Sequence, residues 1–166
     1  MRSAICPGTF DPITLGHESV VRRAAKIFDT VYVAVLDNID KKTVFSAEER
    51  VSLAKKVFAD NENIKVITSN GLLADLAKDL GVCAMVKGVR GVSDFDYEYS
   101  LFLINDALAP GLETVFIPAY ANQTFISSTA VRNIGSYGGD LSGFISPAII
   151  NEVAKKLNPA AGSAEK

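Results

Sequence analysis

Four groups of residues in this chain have the chemistry to hold and polarise phosphate: Thr9 with His17, Lys41 with Lys42, Lys87 with Arg90, and the hydroxyl run Ser127, Ser128 and Thr129. Imidazole N–H, ammonium, guanidinium and hydroxyl groups all donate hydrogen bonds that strengthen as negative charge builds on oxygen. What is absent narrows the chemistry. The 166 residues include one histidine, no GxSxG turn and no GxxxxGK[ST] loop, so neither a serine elbow nor a P-loop is available. Cys6 and Cys83 lie in apolar, strand-like runs and read as small buried thiols, with no zinc-ligand spacing between them. What remains is transfer at phosphorus by positioning, in which aligned oxygens and preorganised charge suffice and no enzyme group forms a covalent intermediate.

The elements that must position these groups begin with residues 3–17, SAICPGTFDPITLGH. Ala4, Ile5 and Cys6 form a short apolar strand, Pro7-Gly8 turns, and His17 opens an amphipathic helix whose inner face is Val20, Val21, Ala24, Ile27 and Phe28. A strand, a glycine turn and a helix start aim backbone N–H groups and the positive end of a helix dipole at one point, which suits an anion. Gly8 and Gly16 keep side chains out of its way, while the Thr9 hydroxyl and the His17 ring each add a donor.

The same alternation repeats along the chain. Residues 30–36 (TVYVAVL) read as a strand covered on both faces, and residues 37–44 as a polar loop. Ser46 and Glu49 form a capping box for a helix with Val51, Ala54, Val57 and Phe58 inward. A strand over 64–68 leads through Asn70-Gly71 to a leucine-rich helix that Gly81 stops. Residues 82–86 are the fourth strand, followed by a loop over 87–91 and a helix capped by Ser93 or Asp94. The fifth strand spans 115–117, hydroxyls at 124–129 start another helix, and Ser146-Pro147 opens the last. Phe95, Tyr97, Tyr99 and Phe102 on the fourth helix read as core or subunit contact.

The expected fold is one doubly wound α/β domain over residues 1–158, with a five-stranded parallel sheet and a polar tail at 159–166. Ligands then bind at the carboxyl ends of the strands, where the loops after strands one, two, four and five meet. A net charge of −2 and a pI near 5.4 argue against nucleic-acid and anionic-membrane surfaces. With no membrane-length apolar run and no leader pattern, a cytoplasmic protein is expected.

Three motifs carry a family resemblance: PGTFDP at 7–12 with TLGH at 14–17, KGVRGVSDFDYE at 87–98, and FISSTAVR at 125–132. Together they resemble the nucleotidyltransferase superfamily, with its Rossmann-like fold, and within it the bacterial phosphopantetheine adenylyltransferases. The resemblance runs from about residue 3 to 157. It implies adenylyl transfer from ATP to 4′-phosphopantetheine, giving dephospho-coenzyme A and pyrophosphate in coenzyme A biosynthesis, with magnesium as cofactor. It further implies that Thr9 bridges the substrates, that His17 reaches the ATP phosphates, and that Lys41, Leu73 and Lys87 contact phosphopantetheine. The ATP site would comprise Thr9, Phe10, His17, Gly88, Val89, Arg90, Glu98, Gln123, Thr124, Phe125, Ile126, Ser127, Ser128 and Thr129. A homohexamer and feedback by coenzyme A are implied in the same way.

Two positions depart from the family pattern: Lys87 stands where arginine is usual, replacing a planar fork by a point charge, and Ser100 where glutamine is usual. The alternatives are another adenylyl- or cytidylyltransferase of the superfamily, acting on nicotinate mononucleotide or a phosphorylated alcohol, and a noncatalytic nucleotide-binding regulator.

Overall fold

The computed structural model describes residues 1–37 and 42–158; Lys41 and the tail at 159–166 lie outside them. Five strands, β1 (Ser3–Gly8), β2 (Thr30–Leu36), β3 (Ile64–Ser69), β4 (Ala84–Val89) and β5 (Glu113–Pro118), form one sheet in the order β3-β2-β1-β4-β5. Every neighbouring pair is parallel. The helices are α1 (Leu15–Ala24), α2 (Ala47–Val57), α3 (Leu73–Leu80), α4 (Val92–Leu108), α5 (Ser128–Ser136) and α6 (Ile150–Leu157). The chain winds outward from β1 to β3, then crosses back to β4, so the winding reverses between β1 and β4.

Alternation along the strands sorts side chains onto two faces. Ala4, Val33 and Val86 pack with Val21 of α1, Leu53 of α2, Val131 of α5 and Val153 of α6. Their sequence neighbours Ile5, Ala34 and Met85 pack on the other face with Ala74 and Ala77 of α3. Local signals start and stop the helices as their chemistry dictates. Ser46 and Glu49 close a reciprocal capping box, Ser127 caps α5, and Gly81 ends α3 in the left-handed region at φ 62°.

Several expectations are corrected. β4 runs on to Val89 instead of ending at Val86, because Lys87, Gly88 and Val89 pair with Phe116, Ile117 and Pro118 of β5. Neither Ser93 nor Asp94 caps α4: Gly91 occupies the cap without a side-chain bond, and the Asp94 carboxylate is taken by Arg90. Ser146-Pro147 precedes a turn, and α6 begins only at Ile150. Ile27 is exposed, since α1 ends at Ala24. Cys83 is exposed as well, in the turn before β4, with its thiol donating to Ser3 O at 3.3 Å. Cys6 is buried as expected, and burial pushes its thiol up to about 12, opposed in part by the charge of Lys87.

β1 and β4 pair at only two positions, Ala4 with Ala84 and Ile5 with Met85, whereas β4 and β5 pair at six. Beyond Met85 the two central strands part, opening a crevice at their carboxyl ends where the winding reverses. α1 lies close against β4 there, and a Cβ on Gly88 would sit 2.8 Å from Val20 Cγ2. Valine is stiff at χ1, so the helix itself would have to shift. Gly88→Ala is expected to destabilise by about 1–3 kcal/mol, and Val20→Ala in the same chain to recover part of that loss, read as paired thermal melts.

Candidate active site

The turn after β1 is built around the ring of Phe10. This residue takes φ 50°, an uncommon backbone for a non-glycine residue. Its ring lies under Gly8, where a Cβ would come within 2.7 Å of the ring edge. The buried Phe10 ring also packs edge-on against His17, with centroids 5.1 Å apart and planes at 85°. Its side chain is thus a shelf for the imidazole, so any contact of Phe10 with nucleotide falls to its backbone.

His17 is the third residue of α1, and Thr14 is the cap. The His17 N–H donates to Thr14 Oγ1 at 3.4 Å, and the Thr14 N–H donates to His17 Nδ1 at 3.1 Å. An amide N–H cannot accept, so Nδ1 is the acceptor and the ring proton sits on Nε2, on the far edge from the cap. The capping box therefore fixes both the tautomer and the ring plane.

Two buried charged groups that sequence reasoning missed fasten the rim. Asp11 accepts from the N–H of Val44 at 3.0 Å and of Phe45 at 2.9 Å, and Arg132 Nη1 donates to its carboxylate at 3.3 Å and its backbone carbonyl at 2.6 Å. Arg50 of α2 donates to the carbonyls of Thr9 at 2.8 Å, Leu36 at 3.1 Å and Phe45 at 3.2 Å, and pairs with the Asp37 carboxylate. A signal for Arg50 existed: residues 50, 54 and 57 share one helix face, which sets a cation in an apolar stripe.

On the β4 side, Lys87 Nζ lies 3.1 Å from Glu98 Oε2, an ionic contact without an aligned hydrogen bond. Glu98 Oε2 and Gln123 Oε1 are the two buried side-chain atoms that lack a hydrogen-bond partner among the described residues. Leu73, at the start of α3, packs on the sheet face that holds Met85, a face Lys87 shares by alternation along β4. Arg90 grips Asp94 through Nε at 2.7 Å and Nη2 at 3.2 Å, and its Nη1 reaches Ile126 O at 3.5 Å. Hydrogen bonding to the Arg90 guanidinium holds the Asp94 carboxyl below the usual range, and that to Asp94 raises Arg90. A depressed carboxyl adds stability above its unfolded pKa and loses it as pH falls through its folded pKa. Asp94→Asn is therefore expected to lower the melting temperature at pH 7, with the difference shrinking towards zero in strong acid, as melts across that range will show.

The hydroxyls divide their tasks. Ser127 Oγ accepts the Ala130 N–H at 3.1 Å, Ser128 Oγ donates to Pro12 O at 2.9 Å, Thr129 Oγ1 accepts from Arg132 at 3.2 Å, and Thr124 Oγ1 donates to Ala121 O at 3.0 Å. Ile126 is buried, while the Phe125 ring is 64% exposed beside Phe144. Arg50 ties the loop after β2 to that after β1, Ser128 and Arg132 tie the latter to α5, and Arg90 ties the loop after β4 to Ile126. The expected meeting of four loops on one edge of the sheet is thus observed. Lys41 lies outside the described residues.

Residues 5–134 match the family described as cytidylyltransferase-like. The chain is 48% identical over 160 residues to the phosphopantetheine adenylyltransferase of Acidovorax sp. (strain JS42), covering 96% of this chain and 97% of that one. It is 43% identical to the protein of that name from Streptomyces coelicolor, over 95% of this chain and 98% of the relative. The counterpart in Clostridium botulinum (strain Alaska E43) is 42% identical, over 94% and 98%. With identity at this level along nearly the whole of each chain, and a nucleotidyltransferase sheet beneath the motifs, the chain belongs to the phosphopantetheine adenylyltransferase family.

Proposed function

We propose that this chain transfers the adenylyl group of ATP to 4′-phosphopantetheine, releasing pyrophosphate and giving dephospho-coenzyme A. The observation that carries the reading is the parting of β1 and β4 beyond Met85, at the strand ends from which the segments bearing His17 and Arg90 leave. An oxygen of the acceptor phosphate attacks the α-phosphorus of ATP in line, a new P–O bond forms, and the bond to pyrophosphate breaks. His17 Nε2–H, Lys41 and Arg90 stabilise the charge that develops on the phosphoryl oxygens, and Thr9 aligns the two phosphates. Lys87 and Leu73 contact the acceptor. Gly88, Val89, Arg90, Glu98 and residues 123–129 line the nucleotide site. Gln123 Oε1, buried without a hydrogen-bond partner among the described residues, supports this assignment, since a buried acceptor is costly unless a ligand supplies a donor.

Among the described residues no three carboxylate, imidazole or thiol groups converge to cage a metal. Magnesium, in this reading, would be brought by the nucleotide and not held by a cage of this chain's side chains, and would supply charge neutralisation when bound.

Incubation with magnesium, each nucleoside triphosphate and a panel of phosphorylated acceptors, with pyrophosphate release as the signal, tests the reading. Release that needs both ATP and phosphopantetheine supports it. Preference for nicotinate mononucleotide, for a phosphorylated alcohol or for CTP selects another transferase of the superfamily, and nucleotide binding without turnover selects a regulator. Lys41→Ala is expected to raise KM for phosphopantetheine more than KM for ATP; equal rises would overturn its assignment to the acceptor phosphate.

The reading extends to a cytoplasmic homohexamer subject to coenzyme A feedback, with no nucleic-acid or membrane partner. α4 buries none of its residues, and Phe95, Tyr97, Tyr99 and Ile104 stand exposed on it, an apolar face suited to further copies of the chain. Among the described residues no helix is long and apolar enough to cross a membrane. Sedimentation mass tests the assembly.

A further inference from the structure

Arg50 is the largest fully buried side chain among the described residues, at 1% exposure. Its guanidinium donates from all three nitrogens: Nε to Phe45 O, Nη1 to Thr9 O and Leu36 O, Nη2 to the Asp37 carboxylate. Only one of these partners is charged, and its side chain is 60% exposed. Taking a cation out of water against neutral carbonyls gains little stability, and an apolar side chain of equal volume would serve as well or better in the stripe it shares with Leu53 and Ala54. What the guanidinium supplies, and an apolar group does not, is a fixed spacing between three backbone segments, through a planar fork with five donors.

Those segments are the turn after β1 at Thr9, the end of β2 at Leu36 and Asp37, and the entry to α2 at Phe45. At Phe45 the fastening is two-sided, because Asp11 takes its N–H at 2.9 Å while Arg50 takes its carbonyl at 3.2 Å. The chain thus leaves the sheet at one pinned point and enters α2 at another, and both are referenced through one side chain to Thr9. Between the two points, in sequence, lies Lys41.

We propose that Arg50 is a positioning residue that sets the spacing of Thr9 from the end of β2 at Leu36 and Asp37 and from the entry to α2 at Phe45, and through that spacing the approach of the acceptor phosphate to the nucleotide; this rests on the adenylyl-transfer reading above. Arg50 touches no substrate in this scheme, and its effect passes through backbone it holds.

The test uses three variants of the full chain. Arg50→Lys keeps the charge but has one nitrogen in place of three, Arg50→Met keeps bulk alone, and Asp37→Ala removes only the exposed partner, leaving the three carbonyl bonds. Arg50→Lys is expected to lose about 10²-fold in kcat/KM for phosphopantetheine, as a small misplacement of reacting groups does, with KM for ATP near wild type. Asp37→Ala is expected to melt as wild type does and to raise the acceptor KM in the same direction by less. Amide hydrogen exchange at residues 44–46 is expected to quicken in Arg50→Lys while α6 is unchanged. Wild-type kinetics in folded Arg50→Lys and Asp37→Ala, equal losses for both substrates, or unaltered exchange at 44–46 would each overturn the proposal. If Arg50→Met does not fold, Asp37→Ala still separates positioning from stability. A wild-type chain that makes no dephospho-coenzyme A overturns the functional reading alone, because the exchange measurement needs no substrate.

Discussion

His17→Ala is expected to lower kcat by about 10²-fold or more, in line with the loss of one preorganised donor to a developing oxyanion, and to lower stability by about 1 kcal/mol through loss of the imidazole's half of the capping box. The two effects are separable because the ring divides its edges between them: Nδ1 accepts the Thr14 N–H, and Nε2 carries the proton. His17→Glu is the informative companion. Glutamate at the third helical position completes a capping box with Thr14 and suits the helix dipole, so the melting temperature should recover. A carboxylate in that place repels phosphate, so turnover should not recover. Steady-state rates and thermal melts on both variants check this; near-normal kcat in His17→Ala would remove the imidazole from the chemistry.

Asp11→Ala is expected to carry the largest stability effect. Its carboxylate is 5% exposed and faces the N–H groups of Val44 and Phe45 and the guanidinium of Arg132. Truncation leaves a charge and two backbone donors facing an apolar side chain, a change that costs about 3–5 kcal/mol when a buried pair loses one partner. For a chain of this length that is roughly 10 °C in melting temperature. Asp11→Asn, which keeps one acceptor oxygen, should fall between. A melt of Asp11→Ala indistinguishable from wild type would show that Val44, Phe45 and Arg132 find other partners.

The frame of the molecule was legible because its signals are local. The β-branched run of β2, the Ser46–Glu49 box and the Gly81 stop each act within a turn or a strand, and each stands where the pattern put it. The motif positions were legible too, as far as the loops that carry them. The fastening of the rim was not, because Asp11 to Phe45 and Arg50 to Thr9 join residues 34 and 41 apart in sequence, and a side chain's choice of a distant carbonyl depends on where the loops land. Lys87 and Gly88 resemble the start of a turn, and only pairing with β5 keeps them extended. α4 is apolar enough to resemble a core helix, yet the sheet meets it along one side only and none of its residues is fully buried. Nor could the sequence say which ring nitrogen of His17 bears the proton, since that follows from the reach of one amide.

The two apolar layers lie on the faces of the sheet, while the loops at its edge are pegged by ionised side chains to particular backbone atoms. Oily contact is indifferent to direction and rewards only area, whereas a peg of this kind has one correct seat. Exchanges among residues deep in the layers should therefore change how much heat the molecule withstands and leave its geometry alone. Exchanges at the pegs should also move the seats themselves, so that which acceptor is welcome changes together with the heat the molecule withstands.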